Sequence, residues 1–414
     1  MINKTLIITT ILALNATSLY AKKAELKFTD GGSHGSKTRV EKKVKPKRNP
    51  QDQKNKKERL LFDSASFFRD ADKNLTFFLD KWGVCHYRIP QIIKCSDGRL
   101  IAAINARINQ DGDGGYSTTF FAVSKNKGKT WKYIRPSTDY MNPERREKKA
   151  GQFPLFKGTQ DTTICEIPKK KEFLALIHEK SSGILWASRS KDLLKWTAPY
   201  QVLEHMKGHK RRHEIAGPAS AILDAGGKRI IFTVHGHFGT DDQGNKIEGN
   251  YIVFTKDGKN FTLSKGAPVA GSTESTVVGL GKRRYLVQSR SKKRVISFYN
   301  HKTGVWKNET FPLASHGGVE ASLWRDKGGT IFFSTPTKGR SAGVLYKSEN
   351  DGKDWEKVTD ISTSGAFGYS SVIRLNKKQL VVLAERNRVK RGGTKDEYLN
   401  DIVLTYLDVP ERSK

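Results

Sequence analysis

Between Leu60 and about Val409 the apolar residues come in short runs, each closed by Gly, Asp, Asn or Lys. No stretch keeps the three- and four-residue spacing of a long helix, so the block reads as all-β. The clearest pair of runs is Tyr87–Ile93 and Leu100–Ile104, broken by Ser96-Asp97-Gly98, which predicts a β-hairpin. No Pro-, Gly- or Ser-rich linker divides the block. Two sandwiches or one propeller are the alternatives, and internal repeats decide between them.

Ser124-Lys-Asn-Lys-Gly128-Lys-Thr-Trp131 and Ser348-Glu-Asn-Asp-Gly352-Lys-Asp-Trp355 share the pattern Ser-x-Asn-x-Gly-x-x-Trp. Shorter variants run from Ser190 to Trp196 and from Thr255 to Phe261, and a faint one ends at Gly304-Val305-Trp306. The aromatic positions 131, 196, 261, 306 and 355 are spaced as one four-stranded blade each would require. In each repeat a short polar side chain and a turn build a tight connection between two strands, and the aromatic residue anchors it against the blade. The count favours a propeller, and the repeats themselves carry no chemistry.

Outside this block the composition changes. Lys4 precedes an uncharged apolar stretch from Leu6 to Leu19, followed by Tyr20-Ala21 and Lys22-Lys23. Residues 1–21 therefore read as a secretory signal peptide, with a short membrane anchor as the alternative, and the mature protein is expected to be secreted or periplasmic. Residues 22–60, and 31–59 above all, are nearly free of large apolar side chains and dense in lysine, which predicts a flexible basic arm. The whole chain carries 75 Lys and Arg against 42 Asp and Glu, a net charge of +33. Such a field attracts polyanions, and contact with an anionic surface through the arm is one outlet for it. No helix, finger or ribbon motif points to specific nucleic-acid binding, and no later segment is long and apolar enough for stable membrane insertion. Cys85 and Cys95 lie on one predicted strand, roughly 33 Å apart if extended, so no structural disulfide is expected among the three cysteines.

Antiparallel pairing of the first hairpin would bring Arg88, at the head of one strand, and Arg107, past the end of the other, to the same end of the sheet. Side-by-side guanidiniums repel. The pair reads either as half of a clamp for a carboxylate or phosphate, or as two arginines whose stems run along the surface into solvent.

Tyr87-Arg88-Ile89-Pro90, preceded by Trp82-Gly83, resembles the Arg-Ile-Pro signature of the exo-α-sialidases (neuraminidases). The repeats resemble that family's Asp boxes, with Asn at 126 and 350 in place of Asp. The resemblance implies a six-bladed β-propeller of four-stranded antiparallel blades over residues 61–410. It also implies an unusual residue set. Sialic acid carries a carboxylate on its anomeric carbon, which repels a carboxylate nucleophile, and a tyrosine activated by a glutamate avoids this.

Carried onto this chain, the resemblance makes Arg88, Arg107, Arg290 and Arg340 substrate-binding, with Arg88, Arg290 and Arg340 as the carboxylate clamp. Asp113 fits the family's general acid/base best, with Asp111 its competitor in Asp111-Gly-Asp113-Gly-Gly. Glu274, in Ser272-Thr-Glu-Ser275, would activate Tyr369, the tyrosine of Gly368-Tyr-Ser-Ser371. Glu385, in Leu383-Ala-Glu385, would orient Arg88 by a charge-assisted bond. Arg340 keeps its offset before Ser348, although Thr335 stands where the family has Asn. The implied function is an exported exo-α-sialidase that hydrolyses terminal sialic acid from sialylated glycoconjugates with retention, needing no cofactor and no metal. The alternatives are transfer of sialic acid to another sugar, a non-catalytic sialic-acid-binding lectin, and a basic propeller that binds anionic polymers. His205, His209 and His213 recur every four residues, as metal ligands or as part of a solvated basic loop, and His235 and His237 end a strand, at the pocket rim or in packing.

Overall fold

The computed structural model of this chain describes residues 56–62, 85–108, 117–134, 159–167, 169–179, 184–203, 213–217, 219, 221–224, 227–240, 243, 246–265, 272–290, 295–311, 313, 321–337, 340–363, 366–390 and 398–409. The chain divides into two units, residues 1–50 and 51–414, and all described residues belong to the second. The first described strand is β1 (Lys56–Phe62). Blade 1 follows with β2 (Cys85–Lys94), β3 (Leu100–Ile108), β4 (Ser117–Ser124) and β5 (Lys132–Ile134). Blade 2 is β6 (Thr159–Ile167), β7 (Glu172–Glu179), β8 (Leu185–Ser190) and β9 (Tyr200–Gln201). Blade 3 is β10 (His213–Ala216), β11 (Ile222–Leu223), β12 (Ile230–Thr240), β13 (Lys246–Thr255) and β14 (Phe261–Leu263). Blade 4 is β15 (Ser275–Gly281), β16 (Arg284–Ser289), β17 (Val295–Asn300) and β18 (Val305–Thr310). Blade 5 is β19 (Ser322–Arg325), β20 (Ile331–Pro336), β21 (Gly343–Ser348) and β22 (Glu356–Ser362). Blade 6 is β23 (Phe367–Asn376), β24 (Gln379–Lys390), β25 (Tyr398–Asp408) and, on its outer edge, β1.

The fold is thus the six-bladed antiparallel propeller. Blade 3 departs from four strands because its inner strand is split: β10 and β11 both pair with β12. The expected hairpin is β2–β3, with its turn closed by Cys95 and Arg99 and with Gly98 in the left-handed region at φ 86°.

Period-2 alternation explains how blades stack. On β3, Leu100, Ala102, Ile104 and Ala106 face blade 6, while Ile101 and Ala103 face blade 2. On β7, Leu174 and Leu176 face blade 3, while Phe173, Ala175 and Ile177 face blade 1. Middle strands are therefore apolar on both sides, and each blade interface holds its own core cluster. The inner strands are sheet edges with backbone groups left to satisfy. Neighbouring blades supply the partners. The Gln91 side chain bonds Thr162 O and Ile164 N at 2.7 and 3.0 Å, and the amides of Ile92, Val372 and Leu323 donate to Ser371, Ser322 and Thr276 at 3.1–3.2 Å.

One boundary differs from the sequence-based expectation. Composition extends the basic arm to residue 60, yet β1 begins at Lys56 and pairs with β25 from Lys56↔Leu407 to Phe62↔Ile402. Lys57, Glu58 and Arg59 are exposed. An outermost strand is held by its backbone ladder, so its side chains stay polar and composition does not reveal it. Leu61 and Phe62 do go inside. Phe62 is fully buried, with ring centroids 5.6 Å from Tyr87 and 5.5 Å from Tyr133. Phe62→Ala should lower stability by about 3–5 kcal/mol, read from the midpoint of urea denaturation. An unchanged midpoint would mean that β1 does not close the ring.

Each repeat lies where the third strand of a blade turns into the fourth. In the first, Ser124 Oγ accepts Gly128 N at 2.8 Å, Asn126 Oδ1 accepts Thr130 N at 2.8 Å, and Trp131 Nε1 donates to Gly128 O at 3.0 Å. The Ser348–Trp355 repeat reproduces these bonds. Its Gly352 sits at φ 88° with its Cα facing Leu286 of blade 4, where a side chain would collide. The faint repeat differs: Trp306 Nε1 bonds Lys265 O, in the loop after blade 3, at 2.9 Å.

Candidate active site

Three inner strands kink at one end of the propeller. The β2–β3 register shifts between Arg88 and Gln91, the β6–β7 register between Gln160 and Thr163, and the β23–β24 register between Phe367 and Ser370. Such bulges re-aim side chains. Within the first two, Ile89 and Asp161 have left-handed backbone, φ 54° and 49°. For a β-branched residue such as Ile89 that conformation costs about 1–3 kcal/mol, so something must hold it.

Glu385, midway along β24 and 2 % exposed, does so. Its Oε1 accepts Arg88 Nε and Ile89 N, each at 2.8 Å, and its Oε2 accepts Tyr369 N at 3.3 Å. Hydrogen bonds to a charged group contribute about 1.5–3 kcal/mol each, enough to outweigh the strain. Gly368 leaves room for this carboxylate, because a side chain at 368 would run into it. Arg88 is thereby fixed with its guanidinium 5.6 Å from the Tyr369 ring centre, and Ile89 packs on the same ring.

Tyr369 stands at the head of β23. Its Oη donates to Glu274 Oε1. Arg290 Nη1 donates to Glu274 Oε2 at 2.8 Å and to Tyr369 Oη at 3.3 Å. The chain folds this way because Glu274 and Arg290 flank one hairpin: Ser275 pairs with Ser289, and Arg290 N donates to Glu274 O at 2.7 Å. Burial, followed by the negative charge and hydrogen bond of Glu274, holds the Tyr369 phenol well above its ordinary value of 10. The phenol is therefore protonated across neutral pH and needs a base to become a nucleophile. Burial opposes the charge of Arg290, but Glu274 outweighs it and the guanidinium is held above its ordinary value.

Arg340 follows β20 in a turn closed by its own amide on Thr337 O at 3.0 Å, with φ 56°. Burial first, then Arg88 and Arg290, push its pKa down, while Tyr369 and Glu385 act the other way. These couplings tie Arg340 to the same group of residues. Thr335 is a buried residue of β20. Arg107 lies one strand further out, on β3, 2 % exposed, with Nε on Asn105 Oδ1 at 3.1 Å. The register pairs Arg88 with Asn105 and His86 with Arg107, so the two arginines do share one end of the hairpin.

The structure therefore brings together Arg88, Glu274, Arg290, Arg340, Tyr369 and Glu385, with Arg107 beside them on blade 1. Asp113 and Asp111 lie outside the described residues, as do His205 and His209 and the side chains of His213 and His237. His235 is buried on β12 between Ile215 and Asn250. Asp161, on β6, was missed. It is 7 % exposed, and its charge acts on Tyr369. No motif surrounds it; an acid on the inner strand of a blade was the one available signal.

The BNR repeat-like domain family matches residues 89–313. The chain belongs to that family. A search of curated protein sequences gives no match. Among solved structures, the Hadza microbial sialidase Hz136 superposes with a TM-score of 0.61 at 17 % identity, covering 78 % of this chain and 66 % of that one. Trypanosoma rangeli sialidase with 2,3-difluorosialic acid, a covalent intermediate, gives a TM-score of 0.62 at 16 % identity, covering 84 % and 58 %. NanB sialidase of Streptococcus pneumoniae gives 0.57 at 16 % identity, covering 78 % and 68 %. These likenesses establish a shared propeller fold, and this chain spans about three fifths to two thirds of the length of those proteins.

Proposed function

We propose that this chain is an exo-α-sialidase, which removes terminal α-linked sialic acid from glycoconjugates with retention, through a covalent bond to Tyr369. The observation that carries this reading is the phenol of Tyr369 donating to the carboxylate of Glu274 while Arg290 bonds both. A binding protein gains nothing from a buried tyrosine hydrogen-bonded to a base. A glycosidase acting on an anomeric carbon that already carries a carboxylate gains a neutral nucleophile.

In the first step Arg88, Arg290 and Arg340 hold the substrate carboxylate with forked donors, and Arg107 meets the ring's other substituents. Tyr369 Oη attacks the anomeric carbon as its proton passes to Glu274, and the glycosidic bond breaks. Asp113 gives its proton to the leaving oxygen. In the second step Asp113 takes a proton from water, which attacks the anomeric carbon; the bond to Tyr369 breaks and the phenol regains its proton from Glu274. Two inversions give net retention. The covalent intermediate solved for the Trypanosoma rangeli sialidase supports this route through likeness of fold. Sialylated glycoconjugates outside the cytoplasm are the natural substrates of such a protein, in keeping with residues 1–21 as an export signal.

The test is release of 4-methylumbelliferone from its α-sialoside by the full chain, with the freed sugar followed by proton NMR. The α-anomer should appear first and then mutarotate. First appearance of the β-anomer would exclude the tyrosyl route, and binding of sialic acid without turnover would leave a lectin.

A further inference from the structure

Strands of a blade run alternately up and down. The turns joining first to second and third to fourth strands therefore share one face of the propeller, opposite the end where Arg88, Glu274 and Tyr369 meet. On that far face the β15–β16 turn is unusual. Gly281 pairs with Arg284, and the two residues between them, Lys282 and Arg283, are both left-handed at φ 49° and 61°. A two-residue turn of this kind ordinarily takes Asn-Gly. Here two long cationic side chains occupy it against their backbone preference, and both are exposed.

Lys282 and Arg283 line a cleft of about 410 Å³ together with Lys228, Arg229, Lys256 and Arg284. Asp224 is the acid that lines the cleft among the described residues, and its oxygens are already engaged. Oδ1 accepts the amides of Lys228 and Arg229 at 3.1 and 3.3 Å, and Oδ2 accepts Arg229 Nε at 2.9 Å. Arg229 is further fixed by Nη2 on Tyr285 Oη at 2.6 Å, with its guanidinium 5.3 Å from the Phe254 ring centre. One cation is thus pre-set in the cleft, Arg284 is paired with Asp351 at 2.9 Å, and Lys228, Lys256, Lys282 and Arg283 are exposed at its rim. Neighbouring His301 reports the field: burial first, then Arg229, Arg283 and Lys265, hold its pKa below the ordinary value.

We propose that this cleft binds a sulfated polysaccharide chain, on the face of the propeller opposite the catalytic residues. Closely spaced sulfates on a flexible chain match four rim cations, Lys228, Lys256, Lys282 and Arg283, around one oriented guanidinium. A nucleic acid would want an exposed aromatic face for its bases, but Tyr285 is buried with its hydroxyl on Arg229. A bilayer presents a plane, and Arg229, whose side chain is 19 % exposed, is recessed from it. The site is separate from the glycosidase reading and stands without it.

Calorimetric titration of the full chain with a heparin-derived octasaccharide at low salt tests the site. Lys282→Asn with Arg283→Gly removes two cations while supplying the residues the turn prefers, so this variant should melt at or above the wild-type temperature and turn over the small sialoside unchanged. Its affinity for the octasaccharide should fall about tenfold or more, and the slope of log K against log salt should drop by about two. Lys377→Ser with Lys378→Ser removes equal charge from the β23–β24 turn on the same face and should weaken binding less than about twofold. Equal loss in both variants would reduce the effect to net charge and overturn the site. So would absence of octasaccharide binding by the wild type, or tighter binding to phosphatidylserine vesicles or to oligothymidylate.

Discussion

Tyr369→Phe is expected to lower kcat on the aryl sialoside by roughly 10³-fold or more, with little change in the affinity for sialic acid. The variant keeps what holds the ring: its packing on Ile89, the Arg88 guanidinium against it, and the backbone bond from residue 369 to Glu385. Only the hydroxyl is lost. Because the buried phenol is held neutral, its removal deletes no charge, and Glu274 retains Arg290 as partner at 2.8 Å. The melting temperature should therefore move little. Asp113→Ala serves as contrast. An aryl leaving group needs little protonation, so the loss on that substrate should be milder than at Tyr369, while a natural glycoside with a poor leaving group should suffer heavily. If Tyr369→Phe retained most of its turnover, the nucleophile would have to be sought elsewhere.

How far the sequence could be read depended on how local each feature is. The Asp-box turns are built from side chains within four residues of the amides they cap, as in Ser124 with Gly128, so a short pattern was enough to find them. Glu274 and Arg290 were legible for a related reason: both flank one hairpin, and sixteen residues of sequence bring them to one backbone hydrogen bond. Features that depend on distant parts of the chain were hidden. β1 looked like part of a charged arm because its pairing partner is β25, at the other end of the propeller. Asp161 is aimed by a bulge in a different blade from Tyr369, and no motif accompanies it.

Left-handed backbone was hidden most completely. Ile89, Asp161, Lys282, Arg283 and Arg340 all adopt it without being glycine. Local preference argues against each; Glu385 holds Ile89 from a distant strand, while Lys282 and Arg283 are set by the tight turn between β15 and β16. Three of them stand in the group around Tyr369 and two at the rim of the cationic cleft. The other five non-glycine residues in left-handed backbone, Lys127, Lys169, Lys171, Leu193 and Asp351, lie in the short turns that join neighbouring strands of a blade.

Glu385 is the residue on which the strain around Tyr369 rests, and Glu385→Ala should lower stability by about 3–5 kcal/mol, the range for breaking a buried ion pair on one side. The Arg88–Glu385 pair is suited to so large an effect, because the two side chains are only 11 % and 3 % exposed. Removing the carboxylate takes a buried counter-charge from Arg88 and the acceptor from the amides of Ile89 and Tyr369 together. Glu385→Gln separates the contributions. Its amide oxygen can still accept from Arg88 and Ile89, but its NH₂ then faces the N–H of Tyr369, donor against donor, and Arg88 loses its counter-charge. The glutamine variant should fold and melt between wild type and alanine. Its Kd for sialic acid should rise by about ten- to a hundredfold, because an arginine that is no longer tethered loses part of its interaction, a change of 1.4 kcal/mol per factor of ten. Urea denaturation and titration with sialic acid would measure both effects. A glutamine variant that matched wild type in both would reduce Glu385 to a passive neighbour and leave the left-handed Ile89 without a support.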